Sequence, residues 1–290
     1  VRTGRESNTV LAVSRDGMQV DKKELLMTAA DYPENMTLHV RDPKVWKQGD
    51  IYYMVQGART KEDRGAALFF SSGDKRHWEL VRCLQTEEAF GYMWECPDLY
   101  ELDGKVVFSI SPQGVEAEGL RYQNIYQSVT CFLEGDFQSA QAPDRFRELD
   151  GGFDFYAPQT FLSEDQRRIQ IGWMGLPDVK DYTNPTTEDG WQHVMTLPRE
   201  LSVRDGVLCQ NPVRELAAWW NQEEHFAGAY QRRTDTCYEL EVQTGGQDVR
   251  ITVASGLILQ WEKEKKIFWM EFKDPRLGAG RTRRGREVSE

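Results

Sequence analysis

Three stretches of the chain share one pattern, and that pattern restricts the fold more than any other feature. Pro43-Lys-Val-Trp46, Pro97-Asp-Leu-Tyr100 and Pro158-Gln-Thr-Phe161 each read proline, two residues, aromatic. Each is followed by a short polar turn and then an apolar strand, and the prolines lie 54 and 61 residues apart. Strand-rich units repeating at such a spacing point to propeller blades. Coincidence is the competing reading, since prolines and aromatics are common beside strands. Agreement of all three with their downstream turns favours the repeat. Three units are too few to close a propeller, which takes about four to eight blades. Blades are therefore missing, or residues 1–38 hold part of one.

The strands between the turns are legible. Ile51–Gln56 follows Gln48-Gly-Asp50, Val106–Ile110 follows an Asp-Gly turn, and Ile169–Trp173 follows a polar turn. Leu197–Leu208 carries a second Asp-Gly turn at Asp205-Gly206. Near residue 211 the character changes. Asn211 suits a helix cap and Pro212 a first turn, with Val213, Leu216, Ala217 and Trp220 at helical spacing. Residues 211–226 are expected to form a linking helix. Strands then resume at Cys237–Val242, Val249–Val253, Leu257–Trp261 and Ile267–Phe272. Residues 227–290 read as an incomplete β-sandwich. The arginines at 276, 281, 283, 284 and 286 read either as a basic tail or as a strand without its partners. The fold class is all-β.

Acidic residues outnumber basic ones 47 to 36, for a net charge of −11. That argues against nucleic acid or an anionic membrane as partner, because both need a basic face. No apolar run is long enough to span a bilayer. The five cysteines are odd in number and contain no C-x-x-C pair, so neither a disulfide framework nor a structural metal is expected, and a reducing cytoplasm fits best. No cofactor is expected. Nine tryptophans supply either core or faces on which sugar rings stack.

Two acids sit at the head of the repeats. Asp42 directly precedes the first repeat proline, and Glu95 stands two residues before the second. If each repeat begins at the inner rim of a blade, both point to one central pocket, with carboxylates within about 10 Å, the scale of glycosidase acid pairs. An acid beside a proline is also a common strand-end cap, and that reading stays open on geometry alone.

The local strings carry a resemblance. Arg41-Asp-Pro43, Trp94-Glu-Cys-Pro-Asp98 and Gly152-Phe-Asp-Phe-Tyr-Ala-Pro-Gln159 resemble, in that order, the motifs of glycoside hydrolase family 32. That family includes invertases, fructan hydrolases and bacterial sucrose-6-phosphate hydrolases. Gly91–Leu99, Tyr122–Ser128, Ile171–Pro177 and Thr196–Leu201 are most similar to the last branch. The resemblance implies a five-bladed propeller followed by a β-sandwich, and hydrolysis of β-fructosides with retention. In its terms residues 1–210 are a partial catalytic propeller, the end of blade two plus blades three to five. Glu95 would be the general acid/base and Asp42 the transition-state stabiliser. Arg41, Cys96, Tyr156 and Trp173 would contact substrate or frame the carboxylates; Trp173 reads nearly as well as core, and Asp98 reads better as a strand or turn hydrogen-bonder than as a catalyst.

One departure matters. The family nucleophile is the Asp of an Asn-Asp-Pro-Asn-Gly type motif, and no Asn-Asp-Pro occurs in these residues. The implied first blade and much of the second would precede Val1, and the chain by itself would be inactive. The expected partner is a small carbohydrate: sucrose, sucrose 6-phosphate or a fructan. A non-catalytic carbohydrate-binding or structural fragment is the alternative. Action on pentose polymers or fructosyl transfer is disfavoured by the Glu-Cys-Pro string. Oligomeric state is not legible.

Overall fold

The structure is a computed structural model that describes residues 5–143, 146–178, 185–233, 237–254, 256–274 and 283–288. It is all-β, as expected. A two-stranded ribbon of β1 (Thr9–Val13) and β2 (Lys22–Met27) comes first. Next is an antiparallel meander of β3 (Met36–Gln48), β4 (Ile51–Thr60), β5 (Gly65–Ser72) and β6 (Glu79–Leu84). A second meander contains β7 (Met93–Leu102), β8 (Lys105–Gln113), β9 (Val129–Leu133) and the short β10 (Arg147–Glu148). The third runs through β11 (Tyr156–Leu162), β12 (Arg168–Met174), β14 (Arg199–Arg204) and β15 (Val207–Pro212), with β13 (Val194–Met195) also paired to β12. A last sheet holds β16 (Val249–Val253), β17 (Leu257–Glu262), β18 (Ile267–Phe272) and β19 (Arg283–Glu287).

The turns follow from residue chemistry. The β7–β8 and β14–β15 hairpins close on Asp103-Gly104 and Asp205-Gly206, and all four residues have positive φ. Two successive left-handed residues define the type I′ turn, whose twist matches the strands it joins.

Successive meanders pack face to face. One apolar cluster, with Met27, Met36, Met54, Leu68 and Phe70, ties the ribbon to the first meander. A larger one, with Val55, Phe69, Trp94, Phe108 and Phe146, joins the first meander to the second. Tyr100, Val107 and Leu201 join the second to the third. Each large apolar side chain fully buried here contributes roughly 1.5–3 kcal/mol. Trp94 is central: it is 0% exposed, and its indole N–H donates to the Phe90 carbonyl at 2.8 Å. Gly57 lets the meanders approach, because a Cβ there would lie 2.0 Å from the Trp94 carbonyl oxygen.

The three repeat prolines mark one structural device. They lie in β3, β7 and β11, the strand that opens each meander. The ladder skips at the same point each time, between Arg41 and Lys44, Glu95 and Asp98, and Tyr156 and Gln159. The residue before each proline has positive φ: Asp42 at 60°, Cys96 at 48° and Ala157 at 51°. Proline has no N–H to offer a ladder, so it fits a bulge, and the bulge re-aims the side chains beside it. A non-glycine residue held at positive φ costs about 1–3 kcal/mol, and such strain persists where the surroundings over-determine it.

Two expectations need correction. The linking helix over residues 211–226 is only a 3-10 turn at Arg214–Trp219. Asn211 and Pro212 instead extend β15, paired with Glu200 and Arg199. The would-be apolar face is only partly covered: Val213 and Leu216 are half-buried, whereas Ala217 is exposed and Trp220 is 63% exposed. Short helices without a packed face are marginal in water. Cys237–Val242 likewise forms no strand and lies exposed, since alternation makes a strand only where a partner pairs with it. Of the late arginines, 283, 284 and 286 lie in β19, whereas 276 and 281 fall outside the described residues. Arg284 is buried, and it pairs with Glu148 at 2.9 Å, fastening the last sheet to the second meander.

Candidate active site

The bulges bring equivalent residues of the three meanders together. Arg41, Glu95 and Tyr156 each stand two residues before a repeat proline, and their side chains meet. Glu95 Oε1 accepts from Arg41 Nε at 2.8 Å and from Nη2 at 2.5 Å. Its Oε2 accepts from Tyr156 Oη at 2.6 Å and from Gln113 Nε2 at 2.9 Å. A second tier lies three residues further along each strand. Lys44 Nζ is 3.3 Å from Asp98 Oδ1 and donates to Gln159 Oε1 at 3.2 Å. Asp98, 1% exposed, also accepts from the Thr160 N–H at 2.7 Å.

Asp42 and Cys96 stand between the tiers. Asp42 Oδ2 accepts from the Cys96 N–H at 3.0 Å, with Cys96 Sγ at 3.6 Å. Asp42 therefore binds the peptide immediately after Glu95. Burial first, then the charges of Asp42 and Glu95, push the Cys96 thiol well above its ordinary pKa, so it stays protonated. Burial first, then the Glu95 charge and hydrogen bond, push the Tyr156 phenol up in the same way. Tyr156 thus keeps its proton, and its place as a donor to Glu95, beyond the ordinary tyrosine range. Its Oη also lies 3.2 Å from the carbonyl of Ser111, two residues before Gln113.

A cavity of about 390 Å³ opens beside Glu95, lined by Arg5, His39, Arg41, Arg59, Tyr92, Met93, Gln113, Pro177 and Asp178 as well. Asp42 is not among its lining residues. Trp173 pairs in register with Tyr156, but its ring packs on His193, with centroids 5.1 Å apart. The structure thus gathers Arg41, Glu95, Cys96, Tyr156 and Asp42 into one constellation and gives Trp173 no direct contact with Glu95. Sequence reading missed Gln113, the fourth donor to Glu95. It is the last residue of β8, beyond an apolar strand, and only its hairpin pairing with Met93 would have pointed to it.

Chemically, Glu95 is a carboxylate held by four donors, with a side chain 14% exposed. All four contacts treat it as an acceptor. To hold a proton for transfer it must give up one of them, and the cavity side is where an incoming oxygen can take that place.

Repeated antiparallel meanders converging on one carboxylate define the class: an all-β protein whose site is assembled from the opening strands of its repeats. The chain belongs to glycoside hydrolase family 32, since the family model described as "Glycosyl hydrolases family 32 N-terminal domain" matches residues 2–212. It is 43% identical over 226 residues to a sucrose-6-phosphate hydrolase of Bacillus subtilis, covering 76% of this chain and 47% of that protein. The corresponding enzyme of Salmonella typhimurium is 40% identical over 225 residues, covering 75% and 47%. The chain thus spans about half the length of these relatives. Among solved structures, a Bombyx mori GH32 beta-fructofuranosidase mutant in complex with sucrose superposes with a TM-score of 0.71 at 26% identity, covering 98% of this chain and 64% of that one. The sucrose-6-phosphate hydrolase of Lactobacillus gasseri shares the fold, with a TM-score of 0.76 at 23% identity over 97% and 60%.

Proposed function

We propose that this chain carries the acid/base part of a β-fructofuranosidase acting on sucrose or sucrose 6-phosphate. In this reading the two-stranded ribbon is the end of a second propeller blade, and the three meanders are blades three to five. The last sheet belongs to a following sandwich. One observation carries the reading: Glu95 is clasped by Arg41 and Tyr156, its positional equivalents in the adjoining meanders.

The reaction is a retaining double displacement. Glu95 gives its proton to the bridging oxygen as the bond from that oxygen to the fructosyl anomeric carbon breaks, and the aldose departs. The attacking carboxylate forms the bond to the fructosyl carbon and lies outside residues 1–290. Water then displaces it, losing a proton to Glu95. Asp42 favours the oxocarbenium-like transition state through its negative charge and fructose hydroxyls. Arg41, Gln113 and Tyr156 fix the acid/base carboxylate, and Cys96 holds the Asp42 carboxylate through its peptide N–H.

Support comes from the motif order, the family membership and the relatives' names. The test is kinetic, in the natural protein that contains this chain. Glu95→Gln lowers kcat on sucrose and sucrose 6-phosphate by roughly 10²–10⁴, the scale of general acid–base catalysis. Asp42→Asn, which tolerates the same left-handed backbone, is also impaired through kcat. Near-normal turnover by Glu95→Gln sinks the reading.

A further inference from the structure

The residue after Glu95 has its backbone held from both neighbouring meanders. Cys96 stands in the bulge at φ 48°, outside the β7–β8 ladder, which skips from Glu95 to Asp98. Its N–H donates to Asp42 Oδ2 at 3.0 Å, a contact from the first meander. Its carbonyl accepts from Gln159 Nε2 at 3.0 Å, a contact from the third. The next residue is Pro97, so the Cys96–Pro97 peptide has no N–H of its own to anchor it. Gln159 supplies that anchor through the carbonyl.

Lys44 decides which way the Gln159 amide points. Its Nζ donates to Gln159 Oε1 at 3.2 Å and to the Thr160 carbonyl at 2.6 Å, and lies 3.3 Å from Asp98 Oδ1. An ammonium only donates and a peptide carbonyl only accepts. The amide between them therefore has one satisfactory orientation, oxygen to Lys44 and nitrogen to Cys96. A cation on the amide oxygen also polarises the amide and strengthens the bond its nitrogen donates. Among the described residues that line the cavity beside Glu95, neither Lys44 nor Gln159 appears. Their path to the site runs through the backbone of Cys96.

We infer that Lys44 and Gln159 are positioning residues for the cleavage reaction, setting the Cys96 peptide that aims Glu95 and holds Asp42. The inference rests on the fructosidase reading for the reaction concerned. A turned Cys96 peptide carries its N–H away from Asp42 and swings the Glu95 Cα beside it. Misplacing a reacting group by about 1 Å lowers a rate by up to about a hundredfold, so a clamp on this peptide bears on turnover without touching substrate. Asp42 and Glu95 lie on different meanders, and the peptide between them lets one clamp register both.

Variants of similar shape in the natural-length protein test this by kinetics and by spectroscopy. Gln159→Glu keeps the contact with Lys44 but puts a carboxylate oxygen where the donor was. Its kcat on sucrose and sucrose 6-phosphate falls roughly tenfold at neutral pH, with KM within about twofold of the unaltered value. As pH drops and the introduced carboxyl takes up a proton, it donates again, so its kcat relative to the unaltered protein rises. Gln159→Met has no donor at any pH, and its relative kcat stays flat; if it does not fold, Gln159→Asn, too short to reach the Cys96 carbonyl, replaces it. Equal pH profiles for the two variants, or a loss confined to KM, overturn the inference. Lys44→Arg retains most of kcat and Lys44→Met does not; equal activity of those two overturns the part given to Lys44. NMR with selective cysteine labelling follows the Cys96 amide, assigned by its loss in Cys96→Ser. Its signal shifts and its proton exchanges faster in Gln159→Met, because the bond to Asp42 loosens. An unmoved Cys96 amide overturns the clamp even where activity falls. Failure of the unaltered protein to cleave either sugar refutes the fructosidase reading, whereas the amide signal decides the clamp independently.

Discussion

Arg41 and Glu95 occupy the same position of two successive repeats, 54 residues apart, and form a two-pronged ion pair across the junction between them, with N–O distances of 2.8 and 2.5 Å. Tyr156, the same position of the third repeat, closes on the other carboxylate oxygen at 2.6 Å. The repeat is thus more than a folding unit. Its bulge aims one side chain per meander at a shared point, and the chain places a cation, an acid and a phenol there.

Removing the phenol tests that arrangement. Tyr156→Phe keeps the ring and deletes the donor to Glu95. Hydrogen bonds to charged groups are worth about 1.5–3 kcal/mol, so kcat/KM falls roughly ten- to hundredfold in the natural protein. An unchanged kcat/KM argues that the contact has no catalytic part. The same phenol has a pH signature. Its pKa is raised in the folded state from 10.0, so its proton is held longer in the folded than in the unfolded chain. The unfolded state then binds fewer protons above pH 10, and stability, intact below that value, falls as pH rises beyond it. Tyr100 and Tyr126 shift in the same direction, chiefly through burial. Ultraviolet titration of phenolates in the native protein shows these three ionising last, and Tyr156→Phe removes one of them.

Gly57 is a steric requirement of the site. An added Cβ meets the Trp94 carbonyl at 2.0 Å and the Glu95 Cα at 3.3 Å, both of them backbone atoms. Gly57→Ala is expected to destabilise by about 1–3 kcal/mol and to displace Glu95. Gly73→Ala is the control, because nothing lies within 4 Å of its Cβ; it stays within about 0.5 kcal/mol. Chemical denaturation of both variants measures the contrast, and equal stability refutes the packing account.

The lower tier is coupled. Lys44→Met leaves Asp98 buried without its cation. Breaking a fully buried pair costs about 3–5 kcal/mol. Lys44 is itself 24% exposed, so about 2–3 kcal/mol is expected after solvent screening. Asp98→Asn alone also destabilises. The double variant costs less than the sum by about 0.5 kcal/mol or more, as contacting residues do. Strict additivity in denaturant melts shows that the two groups do not interact.

The sequence by itself determined the strand content, the hairpin turns and the family. Those are local properties: alternation, Asp-Gly pairs that accept positive φ, and prolines with fixed neighbours. It also marked Glu95, Arg41 and Tyr156 through motifs. It paired Asp42 with Glu95 as two acids at the head of the repeats, but did not show which residues share a place in the bulge: Asp42 matches Cys96 and Ala157 and binds the Cys96 N–H. It read a helix at 211–226 and a strand at 237–242, because periodicity does not say whether a packing surface or a pairing edge exists. Only the tertiary structure decided that equivalent residues of three meanders meet in two tiers, that Gln113 completes the shell of Glu95, and that Arg5 and Arg59 share its cavity. Those contacts join residues far apart in sequence. They depend on how twisted sheets stack and how far each bulge turns its strand, and no short window of sequence records either quantity.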